Sequence, residues 1–177
     1  MKTFASALLS LALFAALWTL PVAPARAQAW QPYQPSERFF SVLLPKTPEA
    51  KSAPVPANEA VTEYDYLADM GATAYQVTVL VFGPGSTVPT PTDDYWTRVI
   101  QGYAQGSGSV LSTQRPVTFA GQQGVEALTD DNANNLHHRI DAILVGNRLY
   151  LVVAAGPNAF PTSEDALRFF GSFRVLQ

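Results

Sequence analysis

Between Leu136 and Gly156 the chain reads LHHRIDAILVGNRLYLVVAAG, two runs of aliphatic, β-branched and aromatic residues on either side of Gly146-Asn147. Two residues that tolerate positive φ, set between such runs, predict a β-hairpin closed by a tight primed turn. Pairing Val145 with Arg148 then places Leu144 opposite Leu149, Ala142 opposite Leu151, Ile140 opposite Val153 and His138 opposite Ala155, all on one face. That face is expected to meet the core. The other carries His137, Arg139 and Asp141 at the open end and Ile143 and Tyr150 near the turn, so it is expected to be solvated at one end and covered at the other.

The rest of the chain falls into place around this hairpin. Phe40, Val42 and Leu44 alternate with Phe39, Ser41 and Leu43 as a strand that Pro45 stops. The stretch from Lys46 to Asn58 holds Pro48, Pro54 and Pro56, which predicts an exposed, partly extended loop without ladder hydrogen bonds. A second hairpin follows. Tyr64 and Tyr66 alternate with Glu63 and Asp65, and beyond Met70-Gly71 a strand puts Tyr75, Val77, Val79 and Val81 on one face, as a central strand would. After the Gly- and Pro-rich loop from Gly83 to Pro91, Thr92 is placed to cap a helix with Asp93 and Asp94 in its first turn and Trp96, Val99, Ile100 and Tyr103 at helical spacing. Gly102, Gly106 and Gly108 weaken and then end it. Val110 to Phe119 and Gln123 to Thr129 read as strands joined near Gly121, and Asp130 to Asn135 as a polar loop. A last helix begins beyond Pro161, capped by Thr162 or Ser163, with Ala166, Phe169, Phe170 and Phe173 along one stripe. Strands arriving in adjacent hairpins, with helices between and after them, predict an α+β domain: an antiparallel β-sheet flanked by two main helices.

Residues 1–27 stand apart from this pattern. Lys2, an apolar run from Phe4 to Leu20 and Ala25-Arg26-Ala27 have the layout of a secretory signal, cleaved after Ala27 to leave residues 28–177 as one domain in the periplasm or outside the cell. No stable membrane anchor is expected after cleavage, and without cysteine the exported chain must hold together by its core alone. Residues 1–27 contain two basic residues and no acid, so 9 of the 11 basic residues and all 14 acidic ones lie beyond them, a net charge of −5. With no basic stripe, nucleic acid and anionic membrane surfaces are poor partners.

The order and spacing of several short motifs resemble those of the PsbP-like α+β sandwich proteins, in particular small secreted bacterial members of unknown function. These motifs are FSVLLP at Phe40 to Pro45, GxxGxE at Gly121 to Glu126, VGNRLY at Val145 to Tyr150, AGP at Ala155 to Pro157 and FFxSF at Phe169 to Phe173. Gln122-Gln123 departs from the aromatic-proline pair more usual before Gly124. The resemblance implies an antiparallel sheet flanked by helices. It carries over no activity, because the best-known members are assembly or accessory factors and a shared fold does not transmit function.

The candidate chemistry is sparse. His137 and His138 are adjacent on a strand, so their side chains point to opposite faces and cannot readily share a metal. Either could join Glu126, Asp130, Asp131 or Asp141, but there is no HExxH and no CxxC, and the Asp130–Asn135 oxygens lack the spacing of a calcium loop. Ser107, in Gly-Ser-Gly, is not a nucleophile elbow, and the glycines from Gly102 to Gly108 do not follow a strand as a phosphate loop would. No catalytic, cofactor-binding or metal residue is therefore assigned. The expected function is that of a non-catalytic accessory protein of the cell envelope. It would bind a protein partner through His137, Arg139, Asp141 and Tyr150, with the Pro-rich loops 46–58 and 83–91 as the other candidate surface. Arg139 and Asp141 are expected to form a modest surface ion pair whose charge reversal leaves the fold intact. The alternative is a small periplasmic hydrolase or ligand carrier with its site near the open end of the 136–156 hairpin.

Overall fold

The computed structural model describes residues 29–56 and 58–176; the expected signal segment and its cleavage point lie outside them. In chain order the elements are β1 (Gln31–Tyr33), β2 (Phe40–Leu44), β3 (Glu49–Val55), β4 (Asn58–Asp69), β5 (Ala74–Phe82), α1 (Asp93–Ser107), β6 (Val110–Phe119), β7 (Gln122–Asp131), β8 (Leu136–Val145), β9 (Arg148–Gly156), α2 (Glu164–Ser172) and β10 (Arg174–Val175). A 3-10 turn at Phe160–Thr162 precedes α2. The fold is α+β. One antiparallel sheet of seven strands runs β3-β4-β5-β9-β8-β7-β6, and β1, β2 and β10 form a second, three-stranded sheet. The β8–β9 hairpin has the register its turn dictates, from Val145 opposite Arg148 through Ile140 opposite Val153 to His138 opposite Ala155.

The β8–β9 hairpin at the centre of the large sheet packs apolar residues on both of its faces, so the second face is covered further than its expected apolar end. Leu149, Leu151 and Val153 of β9, with Ile140 and Ala142 of β8, pack against Trp96 and Ile100 of α1. The alternate residues of β9, Tyr150, Val152 and Ala154, belong to a larger core shared with Phe40, Val42 and Leu44 of β2 and with Phe169 and Phe170 of α2, capped by Phe173. The continuous apolar run LYLVVAA is what a strand covered on both faces requires. Both helices start where their caps were expected: Thr92 Oγ1 accepts from the Tyr95 N–H at 3.2 Å, and Ser163 Oγ from the Ala166 N–H at 3.3 Å. Phe169, Phe170 and Phe173 are all fully or almost fully buried.

Two further expectations are overturned. The Pro-rich stretch after Pro45 is not a loop throughout, because Glu49–Val55 pairs residue by residue with β4 from Glu49 opposite Leu67 to Pro54 opposite Thr62. β3 is the outermost strand, where one side of the backbone needs no partner and proline is tolerated, and the ladder shifts register beside Pro54. Asp130 and Asp131 likewise belong to β7 rather than to a loop. Asp131 organises the turn beyond it: Oδ1 accepts from the N–H groups of Ala133 and Asn134, and Oδ2 from the Asn134 side chain at 2.6 Å.

Candidate functional site

The four residues singled out on the hairpin do not share an accessible face. Tyr150, 0% exposed, lies at the end of the face expected to be covered, whereas Asp141, 1% exposed, lies at the end expected to be solvated and is interior. The reason is α2, whose Phe170 ring lies 4.1 Å beneath the Arg139 guanidinium. Arg139 grips Asp141 with two hydrogen bonds, Nε to Oδ1 at 3.0 Å and Nη2 to Oδ2 at 2.9 Å, and reaches Glu126 Oε2 at 3.0 Å. Glu126 is held in turn by Arg115 at 2.7 Å. Four charges thus balance in a line across β6, β7 and β8, and the expected surface ion pair is the largely buried end of a structural network whose outer member, Arg115, is exposed. Burial pushes the Asp141 carboxyl above its ordinary value, against the downward pull of Arg139. Tyr150 is equally committed, donating from its hydroxyl to the Phe39 carbonyl at 3.2 Å.

Of the four, His137 keeps about a third of its side chain exposed, with Nδ1 2.7 Å from Asp130 Oδ1. Ser112, His137, Asp130 and Thr162 line a hollow of about 190 Å³ beside it. His138 points to the opposite face, as alternation requires, and its Nδ1 lies 3.0 Å from the Tyr103 hydroxyl of α1. Burial holds His138 below the usual imidazole value, while Asp131 and Asp130 pull the other way. Burial also raises Tyr103, so its hydroxyl stays protonated and shares one hydrogen bond with the ring, whose direction follows the histidine tautomer.

A larger concavity among the described residues lies along α1, lined by the Gly102–Ser107 stretch in which the sequence offered neither a phosphate loop nor a nucleophile elbow. α1 packs over the β7–β8–β9 half of its face of the sheet, and between the helix and the uncovered β4–β5 half runs a cleft of about 640 Å³. Its floor is Leu80, Leu149 and Leu151, and Val99 lines the helix side. Arg98 stands on the helix and Glu63 on the sheet, neither with an ion-pair partner among the described residues. Further along the sheet Asp65 is clamped through one oxygen, Oδ1, which accepts from Gln76 Nε2 at 2.6 Å and Thr78 Oγ1 at 2.8 Å. Gly102 and Gly106 also line the cleft, and a side chain at either would meet open space. A signal was present in the sequence: Gln76 and Thr78 are polar positions alternating with the buried ones of a central strand, which is unusual unless that half-face stays open. Among the described residues no group of three His, Cys, Asp or Glu side chains could hold a metal ion, and no helix is long and apolar enough to cross a membrane.

A seven-stranded antiparallel sheet with α1 on one face, and α2 with a small second sheet on the other, is an α+β sandwich of the PsbP kind. The solution structure of cyanobacterial PsbP (CyanoP) from Synechocystis sp. PCC 6803 is similar to it with a TM-score of 0.54, over 87% of this chain and 96% of that one, at 15% sequence identity. That likeness defines the fold alone. No family model matches the chain, and no curated protein sequence matches it.

Proposed function

We propose that the chain is a non-catalytic binding protein of the cell envelope, exported through its N-terminal segment and acting as an accessory to a protein partner that it recognises with the cleft beside α1. The observation that carries this reading is the cleft itself: an apolar floor with an uncommitted cation on one wall and an uncommitted anion on the other. Such a surface selects an amphipathic segment by shape and charge, and its size falls in the range of roughly 300–1,000 Å³ usual for binding sites. Its polar groups are poorly arranged for turnover. The Tyr103 hydroxyl is tied to His138, and the hydrogen-bond partners of Ser107 Oγ among the described residues are the Ala104 carbonyl and Ser109 Oγ, neither of them a base.

The experiment is capture of envelope proteins by the parent chain and by two cleft variants, Gly102→Trp and Glu63→Arg. Both positions are exposed, so melting temperatures should stay within a degree or two of the parent's, since surface changes usually cost less than about 0.5 kcal/mol. A specific partner should be lost from both variants. Undiminished capture by both would overturn the assignment to the cleft.

A second reading is favoured by one observation, the Asp130–His137 pair at the open end of the hairpin. The carboxylate holds the ring at Nδ1, and Asp130, His137 and Ser112 all line one hollow, which brings together the three residue types of a hydrolytic triad. Turnover of a panel of activated esters by the parent, abolished in both His137→Ala and Ser112→Ala, would establish it in place of the non-catalytic one.

A further inference from the structure

The face of β4 turned away from the cleft carries Tyr64 and Tyr66, and the register of β3 sets Ser52 opposite Tyr64 and Ala50 opposite Tyr66. A small residue beside each ring leaves a hollow of about 190 Å³, closed on its other side by Tyr33, Ser36 and Glu37. The rings are braced from behind. Tyr33 lies 6.1 Å from Tyr66 between centroids at an angle of 57°, Tyr66 meets Phe40 edge-on at 5.2 Å, and Tyr64 meets Phe39 edge-on at 5.0 Å.

Glu37 is the one carboxylate of the hollow, and it is held in place. Its Oε2 accepts from the Tyr66 hydroxyl at 3.1 Å and from Ser36 Oγ at 3.0 Å. Its own backbone N–H is the main influence keeping the carboxyl below the usual range, so the group is anionic at neutral pH. No cationic side chain pairs with Glu37 among the described residues. Lys51 contributes to the lining between Ala50 and Ser52, but strand alternation sends its side chain to the opposite face, where Nζ sits 2.9 Å from Glu49 Oε1.

We infer that this hollow is a binding site for an organic ammonium ion, with Tyr33 and Tyr64 as its aromatic walls and Glu37 as its counter-charge. Aromatic rings attract cations through their quadrupole, and a fixed carboxylate beside them adds a full opposite charge, which together distinguish an ammonium from a neutral group of the same shape. The volume is below the roughly 300–1,000 Å³ of sites that engulf a whole ligand, so the hollow takes one head group and leaves the remainder outside. Two sources share this chemistry, a free quaternary ammonium compound and the side chain of a lysine.

The test is NMR titration of the purified protein with choline, with the amide of Nα-acetyl-lysine and with 3,3-dimethylbutan-1-ol, the neutral isostere of choline, while the tyrosine ring protons are observed. At least one of the two cations should bind saturably and shift the Tyr33 and Tyr64 rings, and the alcohol should bind about tenfold more weakly or not at all. Tighter binding of choline assigns a quaternary head group, and tighter binding of the lysine amide assigns a side chain; either order supports the site. Glu37→Gln, on an exposed residue and nearly isosteric, should weaken binding about tenfold. Ser52→Trp, from the exposed edge strand, should fill the hollow and abolish binding without moving the melting temperature. Shifts that grow without saturating, equal binding of the alcohol, or undiminished binding to Glu37→Gln and Ser52→Trp would overturn the inference.

Discussion

Among the described residues Arg139 is the one counter-ion that reaches both Asp141 and Glu126, whose side chains on adjacent strands are 2% and 12% exposed. Reversing its charge would crowd three carboxylates into a half-dry site, with Arg115 the one remaining cation beside them. Arg139→Glu is therefore expected to lose about 3–5 kcal/mol and to melt far below the parent, contrary to the neutrality that strand alternation alone suggested. Chemical denaturation checks this, and an unchanged midpoint would mean that the network contributes nothing. His138 makes a pH prediction. Its folded-state value lies below the ordinary 6.5, so the unfolded chain binds the extra proton first. The stability it contributes is complete above the unfolded value and is lost as pH falls towards the folded one. Melting temperatures measured from pH 7 down to pH 5 should fall more in the parent than in His138→Gln, which keeps an acceptor for Tyr103; parallel curves would show that His138 is not the group responsible. Gly124 belongs to this scale as well. A Cβ there would overlap the Ala142 carbonyl oxygen of β8 and sit 2.6 Å from Ile143 Cγ2, so the GxxGxE motif records a close backbone approach.

Among the elements, α2 has the most exacting placement. Ser163 starts it, Phe169 and Phe170 face the sheet, and Phe173 just beyond its end stacks between Phe40 at 5.6 Å and Phe119 at 5.3 Å. Phe169, fully buried and edge-on to Tyr75 at 5.2 Å, has no room to be replaced by solvent. Phe169→Ala should cost about 3–5 kcal/mol, a large share of a single domain's stability. A melting temperature that does not move would place α2 elsewhere. α2 also accounts for the buried charges, because by laying Phe170 over Arg139 it covers Arg139 and Asp141 and leaves His137 at the rim. Strand β3 shows the reverse relation, in which position in the sheet overrides local composition. Three prolines in the thirteen residues from Lys46 to Asn58 argue for a loop, yet on the outer edge a proline blocks no hydrogen bond that the sheet needs.

For the whole molecule, the expectation of export rests on residues 1–27, and N-terminal sequencing of protein recovered outside the cytoplasm should begin at Gln28. A product that starts at Met1 and sediments with membranes would show that the segment is retained as an anchor. The sandwich itself was legible because its strands are joined by short connections whose residues declare themselves. Gly146-Asn147 sets the register of β8 and β9, the caps Thr92 and Ser163 set where the helices begin, and the phenylalanine stripe sets which side of α2 is buried. These are local matters of φ, hydrogen-bond donors and periodicity, and the sequence by itself determined them. Which sheet face each helix covers is decided by contacts between residues far apart in the chain, as when Phe39 and Phe40 meet Tyr150 and Phe173. No periodicity encodes that choice. The second sheet, the burial of Asp141, the open half-face beside α1 and the tyrosine hollow at β3 all follow from it, so only the tertiary structure decided them.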